Sequence, residues 1–290
     1  FPKGLVALDV ETTGISPLTD RIIELSAVKI GPDSVELFEH LIKPDIPIPK
    51  QVVDIHGITQ QMVKDAADIS AVMPLFLDFI EDLPLIAHNA KYDLGFVISA
   101  CHQLKLKWEN SPVYCSYILA REILKKTVSD KKLTSLVKFF NLPSFSAHRA
   151  LPDAAACLHV YAHCLLKADP MDLPSINQKS HIFNLSDFST GHSFSIPSSM
   201  RPIENNIPLQ KPLEIKYNAG SHRNKFRPVK PCSLFPLPQG NILNAYCLLS
   251  DTYKNFYLHK IAQVREISDN NNSLYEETIK RPKPKKEKGP

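Results

Sequence analysis

Gly4-Leu5-Val6-Ala7-Leu8-Asp9-Val10-Glu11 is an almost uninterrupted apolar run whose two acids fall at its far end, and Thr12-Thr13-Gly14 supplies a turn directly after it. Such a run reads as a buried strand. Side chains alternate across a strand, so Asp9 and Glu11 project from one face, at the end where α/β sheets collect their ligands. Two carboxylates on one face repel unless a cation separates them. Hard divalent ions such as Mg²⁺ or Mn²⁺ take oxygen ligands of this kind.

Outward from this run, residues 22–30 are apolar up to Gly31-Pro32, and residues 34–42 alternate apolar and polar positions before Pro44. Three strands in a meander fit that pattern. Prolines at 44, 47 and 49 then predict an extended connection. Helical spacing over 73–80 precedes Leu85-Ile86-Ala87, a short buried strand. Asn89 reads as the N-cap of a helix over 90–104, in which Leu94, Val97, Ile98 and Cys101 share a face. Further helices are expected at 115–124, 133–140 and 153–166. Strands first and interleaved helices afterwards predict an α/β fold, a mixed sheet with helices on its faces.

The whole chain has 290 residues and 32.6 kDa, which suits one enzyme-sized domain with a smaller companion. With 43% hydrophobic and 22% charged residues it is globular, neither mostly disordered nor fibrous. No run approaches the ~18–20 apolar residues that span a bilayer, so no membrane partner is expected. Residues 169–210 are rich in Pro, Ser and Asn and read as a linker, and short strands at 213–217, 242–249 and 255–264 read as a small all-β module. The expected organisation is therefore a catalytic domain at 1–168, a linker at 169–210, a β-module at 211–270 and a flexible basic tail at 271–290.

Charge follows the same division. Residues 1–168 hold 17 Lys+Arg against 19 Asp+Glu, and the remainder 17 against 11. A basic appendage points to an anionic partner such as nucleic acid, because phosphate attraction needs only clustered Lys and Arg. The six cysteines form no C-x-x-C pair, which argues against a zinc ribbon or thioredoxin motif. The start lacks a secretory apolar segment, so reduced thiols and a cytoplasmic location are the expectation. Phe1 is not an initiator Met.

Two further segments concentrate chemistry. His88-Asn89-Ala90-Lys91-Tyr92-Asp93 follows the short strand and places Asp93 in the first turn of a helix. His148-Arg149-Ala150-Leu151-Pro152-Asp153 puts an acid at the start of the last helix of this half. Either aspartate alone reads equally well as a structural cap or a helix-dipole partner. Capping does not explain both acids together with a His five residues before the second and a strand-end D-x-E.

This set resembles the DEDD superfamily of 3′–5′ exonucleases in its histidine branch, which includes the proofreading epsilon subunit of bacterial DNA polymerase III and ribonuclease T. The resemblance runs in order from about residue 5 to 166, through Asp9-Val10-Glu11-Thr12-Thr13-Gly14, Arg21-Ile22-Ile23-Glu24, Ile55-His56-Gly57-Ile58-Thr59, the His88 to Asp93 segment and the His148 to Asp153 segment. It implies a ribonuclease H-like fold, with Asp9, Glu11, Asp93 and Asp153 as ligands of two divalent metal ions, Mg²⁺ or Mn²⁺, and His148 as general base. In that scheme the metals hold the scissile phosphate and stabilise the departing 3′ oxygen. A histidine, titrating ordinarily at about 6.5, can take the proton of the attacking water near neutral pH. Thr12, Thr13, Gly14 and Ile15 match the segment that receives the terminal nucleotide, and His88 and Asn89 would line the same cleft. His56 reads equally as a binding residue and as loop packing. Pro152 departs from the family pattern, and proline suits the first turn of a helix.

The implied substrate is nucleic acid with a free 3′ end, DNA favoured and RNA possible. No polymerase or helicase motif is visible, so a proofreading role would need a partner polymerase or repair protein. In the back half, Ile215-x-Tyr217, Arg227, Pro231, Leu243-Asn244-Ala245-Tyr246-Cys247, Lys254-x-Phe256 and Leu258-x-Lys260-Ile261-x-x-Val264 resemble the WYL domain. That resemblance implies a small SH3-like β-barrel with a nucleotide or single-stranded nucleic-acid ligand. Asn241-Ile242-Leu243 stands where the family has Trp-Tyr-Leu, and Lys254 and Lys260 replace the usual arginines, trading a bidentate grip for point charges. The alternatives are a barrel that only supports the enzyme, and a catalytically silent nucleic-acid-binding or ligand-sensing regulator acting through this module.

Overall fold

A computed structural model describes residues 1–17, 20–125, 127–143, 147–190, 196–209, 211–220, 222–235, 237 and 240–267. The expected basic tail at 271–290 and the Pro238-Gln239 turn lie outside the described residues. The chain forms two compact units, Phe1–His192 and Ser193–Pro290.

The first unit opens with the expected meander, β1 (Leu5–Thr12), β2 (Ile22–Ile30) and β3 (Val35–Leu41), paired antiparallel. Helices α1 (Lys50–His56), α2 (Gln60–Val63) and α3 (Ile69–Ile80) follow. The extended reading of 44–49 misses α1, which starts directly after Pro49 and stops at Gly57, whose φ of 74° only glycine adopts without strain. Strand β4 (Leu85–Ala87) pairs parallel to β1, and α4 (Lys91–Gln103) follows it. Asn89 does not cap α4: its φ is 66° and no side chain caps the helix start, so Asn89 is the left-handed residue of the turn instead.

Four-residue β5 (Pro112–Cys115), too short to show periodicity, pairs parallel to β4 and runs straight into α5 (Ser116–Ile123). Helices α6 (Leu133–Phe139) and α7 (Ala150–Lys167) complete the expected set. The stretch read as a linker departs from expectation. It holds α8 (Leu173–Ser180) and β6 (His181–Asn184), and β6 pairs antiparallel with β5 to complete a six-stranded sheet of order β3-β2-β1-β4-β5-β6. Phe183, Leu185 and Phe188 are buried, and the Trp108 indole donates to the Leu185 carbonyl at 2.6 Å. Composition concealed this element because four apolar side chains sit among polar neighbours.

The core on one face of the sheet joins Ala7 and Ile86 to Leu119, Leu136, Ala156, Cys157 and Val160, so α5, α6 and α7 cover that face. The second unit contains α9 (Arg201–Leu209) and a five-stranded antiparallel sheet, β7 (Leu213–Tyr217), β8 (Phe226–Phe235), β9 (Ile242–Cys247), β10 (Thr252–Tyr257) and β11 (Ile261–Glu266), in the order β10-β9-β8-β7-β11. Strand β8 was not expected because Pro228 and Pro231 interrupt it. The ladder accommodates them with a register shift between Pro231 and Ser233. The single strand expected over 255–264 is two, separated by the 3₁₀ turn Leu258–Lys260. No helix among the described residues is long and apolar enough to cross a membrane.

Candidate active site

Alternation along β1 puts Ala7, Asp9 and Glu11 on the face that α7 covers. Asp153 is the fourth residue of α7, one turn before Cys157, whose side chain packs with Ala7. It is too far inside the helix to be its N-cap. The capping alternative fails for Asp93 as well, because it is the third residue of α4 and its Oδ1 accepts the Val10 N–H at 3.3 Å across to β1. The four acids therefore converge at the carboxyl end of β1. A carboxylate oxygen of Glu11, a ring nitrogen of His148 and a carboxylate oxygen of Asp153 lie within 4.8 Å of one another.

Such crowding is electrostatically expensive. Burial, and then the carboxylates of Asp93, Asp153, Glu11 and Glu24, push Asp9 well above the usual carboxylate range. Burial followed by Asp153 and Glu24 pushes Glu11 up to about 8. Asp93 is raised to about 7, mainly by burial. Asp153 is raised to about 6, again mainly by burial. Asp93 is 2% exposed, and its Oδ2 is buried without a hydrogen-bond partner among the described residues. A buried acceptor left unsatisfied beside three other acids suits a hard cation as its partner. The donor set, carboxylate oxygens with one imidazole beside them, fits such a cation.

His148 is exposed and sits at φ 65°, a conformation rare outside glycine. Its neighbours hold it there. The His148 N–H donates to Asp153 Oδ2 at 3.0 Å. Arg149 donates from Nε and Nη2 to Glu24 Oε1 at 3.0 and 2.6 Å, and the Ala150 N–H donates to Glu24 Oε2 at 2.8 Å. Glu24 is 1% exposed and stands opposite Glu11 on β2. Sequence reading passed over Glu24 and Arg149 as functional groups. The available signal was a lone acid in the apolar run Ile22–Val28, which has to find a cation once buried.

The expected nucleotide-binding residues divide. Thr12 and Thr13 are buried at the end of β1, where the ladder slips by one residue between Glu11 and Thr12. Thr13 exchanges two 2.9 Å bonds with Arg21, its N–H donating to the Arg21 carbonyl and its Oγ1 accepting the Arg21 N–H. The Thr12 hydroxyl donates to the Gly14 carbonyl at 2.5 Å, and the Tyr92 hydroxyl lies 2.6 Å from Thr12 Oγ1. A Cβ at Gly14 would come within 2.5 Å of the Asp20 carboxyl, so any larger residue there would displace the side chain whose Oδ2 accepts the Ser16 N–H at 2.8 Å. The turn leaves Ile15 49% exposed.

His56 is 6% exposed, and its Nδ1 accepts the Ile58 N–H at 3.0 Å. Burial keeps its imidazole below the ordinary range. Of its two readings, loop packing has these contacts behind it. His88 is half-buried, and both of its ring nitrogens are engaged, with Ser116 Oγ at 2.8 Å and the Lys131 carbonyl at 2.9 Å. Asn89 is exposed.

A mixed sheet with helices on its face and four acids plus a histidine beside the end of its first strand is consistent with the ribonuclease H-like fold of exonucleases. The chain belongs to the exonuclease family RNase_T, which matches residues 6–161 and whose members are hydrolases. Two DNA polymerases III of PolC type are similar: that of Caldanaerobacter subterraneus subsp. tengcongensis is 37% identical over 174 residues, and that of Thermotoga maritima 32% over 223. The matches cover 60% and 75% of this chain but only 12% and 16% of those polymerases. Among solved structures, exonuclease I is similar at a TM-score of 0.52 and 15% identity, over 94% of this chain and 67% of that one. The nuclease domain of 3′hExo, a DEDDh family member bound to rAMP, is similar at 0.51 and 18%, over 58% and 94%. These two likenesses bear on the fold.

Proposed function

We propose that the chain is a metal-dependent 3′–5′ exonuclease that hydrolyses phosphodiester bonds at the 3′ end of nucleic acid, DNA in preference to RNA. The observation that carries this reading is the convergence of Asp9, Glu11, Asp93 and Asp153 with His148, around an unsatisfied Asp93 oxygen. The DNA preference rests on relatives that are DNA polymerases. The four acids would hold two divalent ions, Mg²⁺ or Mn²⁺, which when bound polarise the scissile phosphate and stabilise the leaving oxygen.

The chain's own groups do the rest. His148 takes the proton of the attacking water as general base. The Asp153 oxygen on its backbone N–H and the Glu24–Arg149 clamp beside it fix its position. The Thr12 to Ile15 turn receives the terminal nucleotide, with the exposed Ile15 side chain against its base. The second unit, a WYL-like SH3-like barrel in this reading, holds the remaining strand or a nucleotide ligand. The likeness of fold to exonuclease I, whose structure suggests how processivity is achieved, extends over 94% of this chain. A polymerase or repair protein is the proposed partner, as the PolC-type relatives suggest. The six free cysteines fit a reducing, cytoplasmic setting.

Digestion of 5′-labelled single-stranded DNA, duplex DNA and RNA tests the reading. The expected result is a ladder shortening from the 3′ end, dependent on Mg²⁺ or Mn²⁺ and lost with EDTA or in His148→Ala. Full digestion by His148→Ala would remove the general-base assignment. Glu24→Gln keeps the shape of the clamp but removes its ion pair with Arg149 and one of its two acceptor oxygens. Misplacing a reacting group by ~1 Å costs about 10²-fold, so kcat should fall by about 10- to 100-fold with KM little changed. An unaltered kcat would show that His148 needs no such support.

A further inference from the structure

His88 follows β4 directly, and the pairing of Val6 with Leu85 and Ala7 with Ile86 puts it level with Asp9 on the adjacent strand. Ser116 stands at the corresponding end of β5. The hydrogen bonds around them have one consistent proton arrangement. A carbonyl only accepts, so His88 Nε2 carries a proton for Lys131, which leaves Nδ1 to accept from the Ser116 hydroxyl. Ser116 Oγ lies 3.2 Å from Cys157 Sγ, and with its own proton given to His88 the thiol is the donor there. The other acceptor in reach of Ser116, the Ala87 carbonyl, is farther away at 3.5 Å. Burial agrees with both assignments: it pushes His88 down to about 4, keeping the ring neutral, and holds the Cys157 thiol well above its ordinary value.

An ordered chain thus runs from Cys157 on α7, behind the acid cluster, through Ser116 and His88 to one main-chain carbonyl of the loop between α5 and α6. That loop is basic. It carries Lys125, Lys126, Lys131 and Lys132, with Glu122 and Asp130 as the acids nearby. Lys125 is tied to Glu122 at 3.1 Å, the Lys131 ammonium donates to the Val128 carbonyl at 2.6 Å, and Lys132 is exposed. Lys126 lies outside the described residues. His148 and Arg149 flank the acids on the β2 side, and this loop flanks them on the β4–β5 side.

Resting on the exonuclease reading above, we propose that His88 is a positioning residue, not a substrate ligand, and that the loop it clamps presents Lys131 and Lys132 to the phosphates of the nucleic-acid strand leaving the acid cluster. Point-charge lysines suit a backbone contact that ignores base identity.

The test measures binding of a fluorescent single-stranded DNA to the full chain in EDTA across a salt series, so that it does not depend on cleavage. Each phosphate neutralised on a single strand contributes about 0.7 to the slope of log affinity against log salt. Lys131→Ala/Lys132→Ala should therefore flatten the slope by about 1.4, and the exposed Lys132→Ala alone by about 0.7. Lys107→Ala, in the segment before β5 at the opposite end of that strand, should leave it at the wild-type value. His88→Leu should reproduce the flattened slope of the double lysine variant, and His88→Gln, which can both donate and accept, should restore it. A wild-type slope in both lysine variants, or no binding by the wild type, overturns the phosphate wall. A wild-type slope in His88→Leu overturns the clamp, and if that variant fails to fold, the difference between His88→Gln and wild type decides. Loss of cleavage in the wild type with the lysine slopes as expected would instead count against the exonuclease reading alone.

Discussion

Asp9→Asn is expected to cut digestion of a 5′-labelled oligonucleotide by about 10³-fold or more, since several kcal/mol of transition-state stabilisation are at stake at about 1.4 kcal/mol per factor of ten. The same change is expected to raise the melting temperature of the metal-free chain. Both effects follow from the position of Asp9, which the carboxylates of Asp93, Asp153, Glu11 and Glu24 surround. Asparagine keeps the volume and removes the ionisable group, so it relieves a repulsion that otherwise only proton uptake or a bound cation offsets. Function and stability are opposed at this residue. Activity within tenfold of wild type would sink the metal-ligand role. An unchanged or lowered melting point in EDTA would show that the acids are not under mutual strain.

The second large effect is a stability profile that metal inverts. Glu11 ionises at about 8 in the folded chain against an ordinary 4.5, Asp93 at about 7 and Asp153 at about 6 against 3.8. Between those limits the folded state holds protons that the unfolded state has released. Stability then falls as pH rises. The stabilising contribution is complete below about pH 4 and is lost as pH climbs through 6 to 8. Thermal melts in EDTA should therefore fall across this window. Saturating Mn²⁺ at pH 8 should reverse the trend, because a ligand at a hundred times its Kd adds about 2.7 kcal/mol, or roughly 5–10 °C. A flat profile in EDTA, or no shift with Mn²⁺, would count against a cation site made of these acids.

The sequence was most informative where alternation and burial coincide. The apolar run from Leu5 and the run from Ile22 give β1 and β2, and the same alternation puts Asp9 and Glu11 on one face. Asp93 and Asp153 were readable as acids at helix starts, and the structure brings them to that face. What could not be read depends on distant partners. Nothing local tells that Glu24 finds Arg149, 125 residues away, or that Ser116 and Lys131 take up both ring nitrogens of His88. Short strands escaped as well, since the four residues of β5 hold too few alternations, and the prolines of β8 look like breaks until the register shift is seen.

Strand β6 has a practical consequence. It occupies the outward main-chain groups of β5, with Pro112 opposite Asn184 and Val113 opposite Phe183. A fragment ended at Ala168, where composition suggests the nuclease stops, would leave those groups and their apolar neighbours bare. A bare strand is a template for pairing with another copy. Cutting there would trade a working nuclease for an aggregating one, so the smallest usable fragment has to carry the chain on through Thr190.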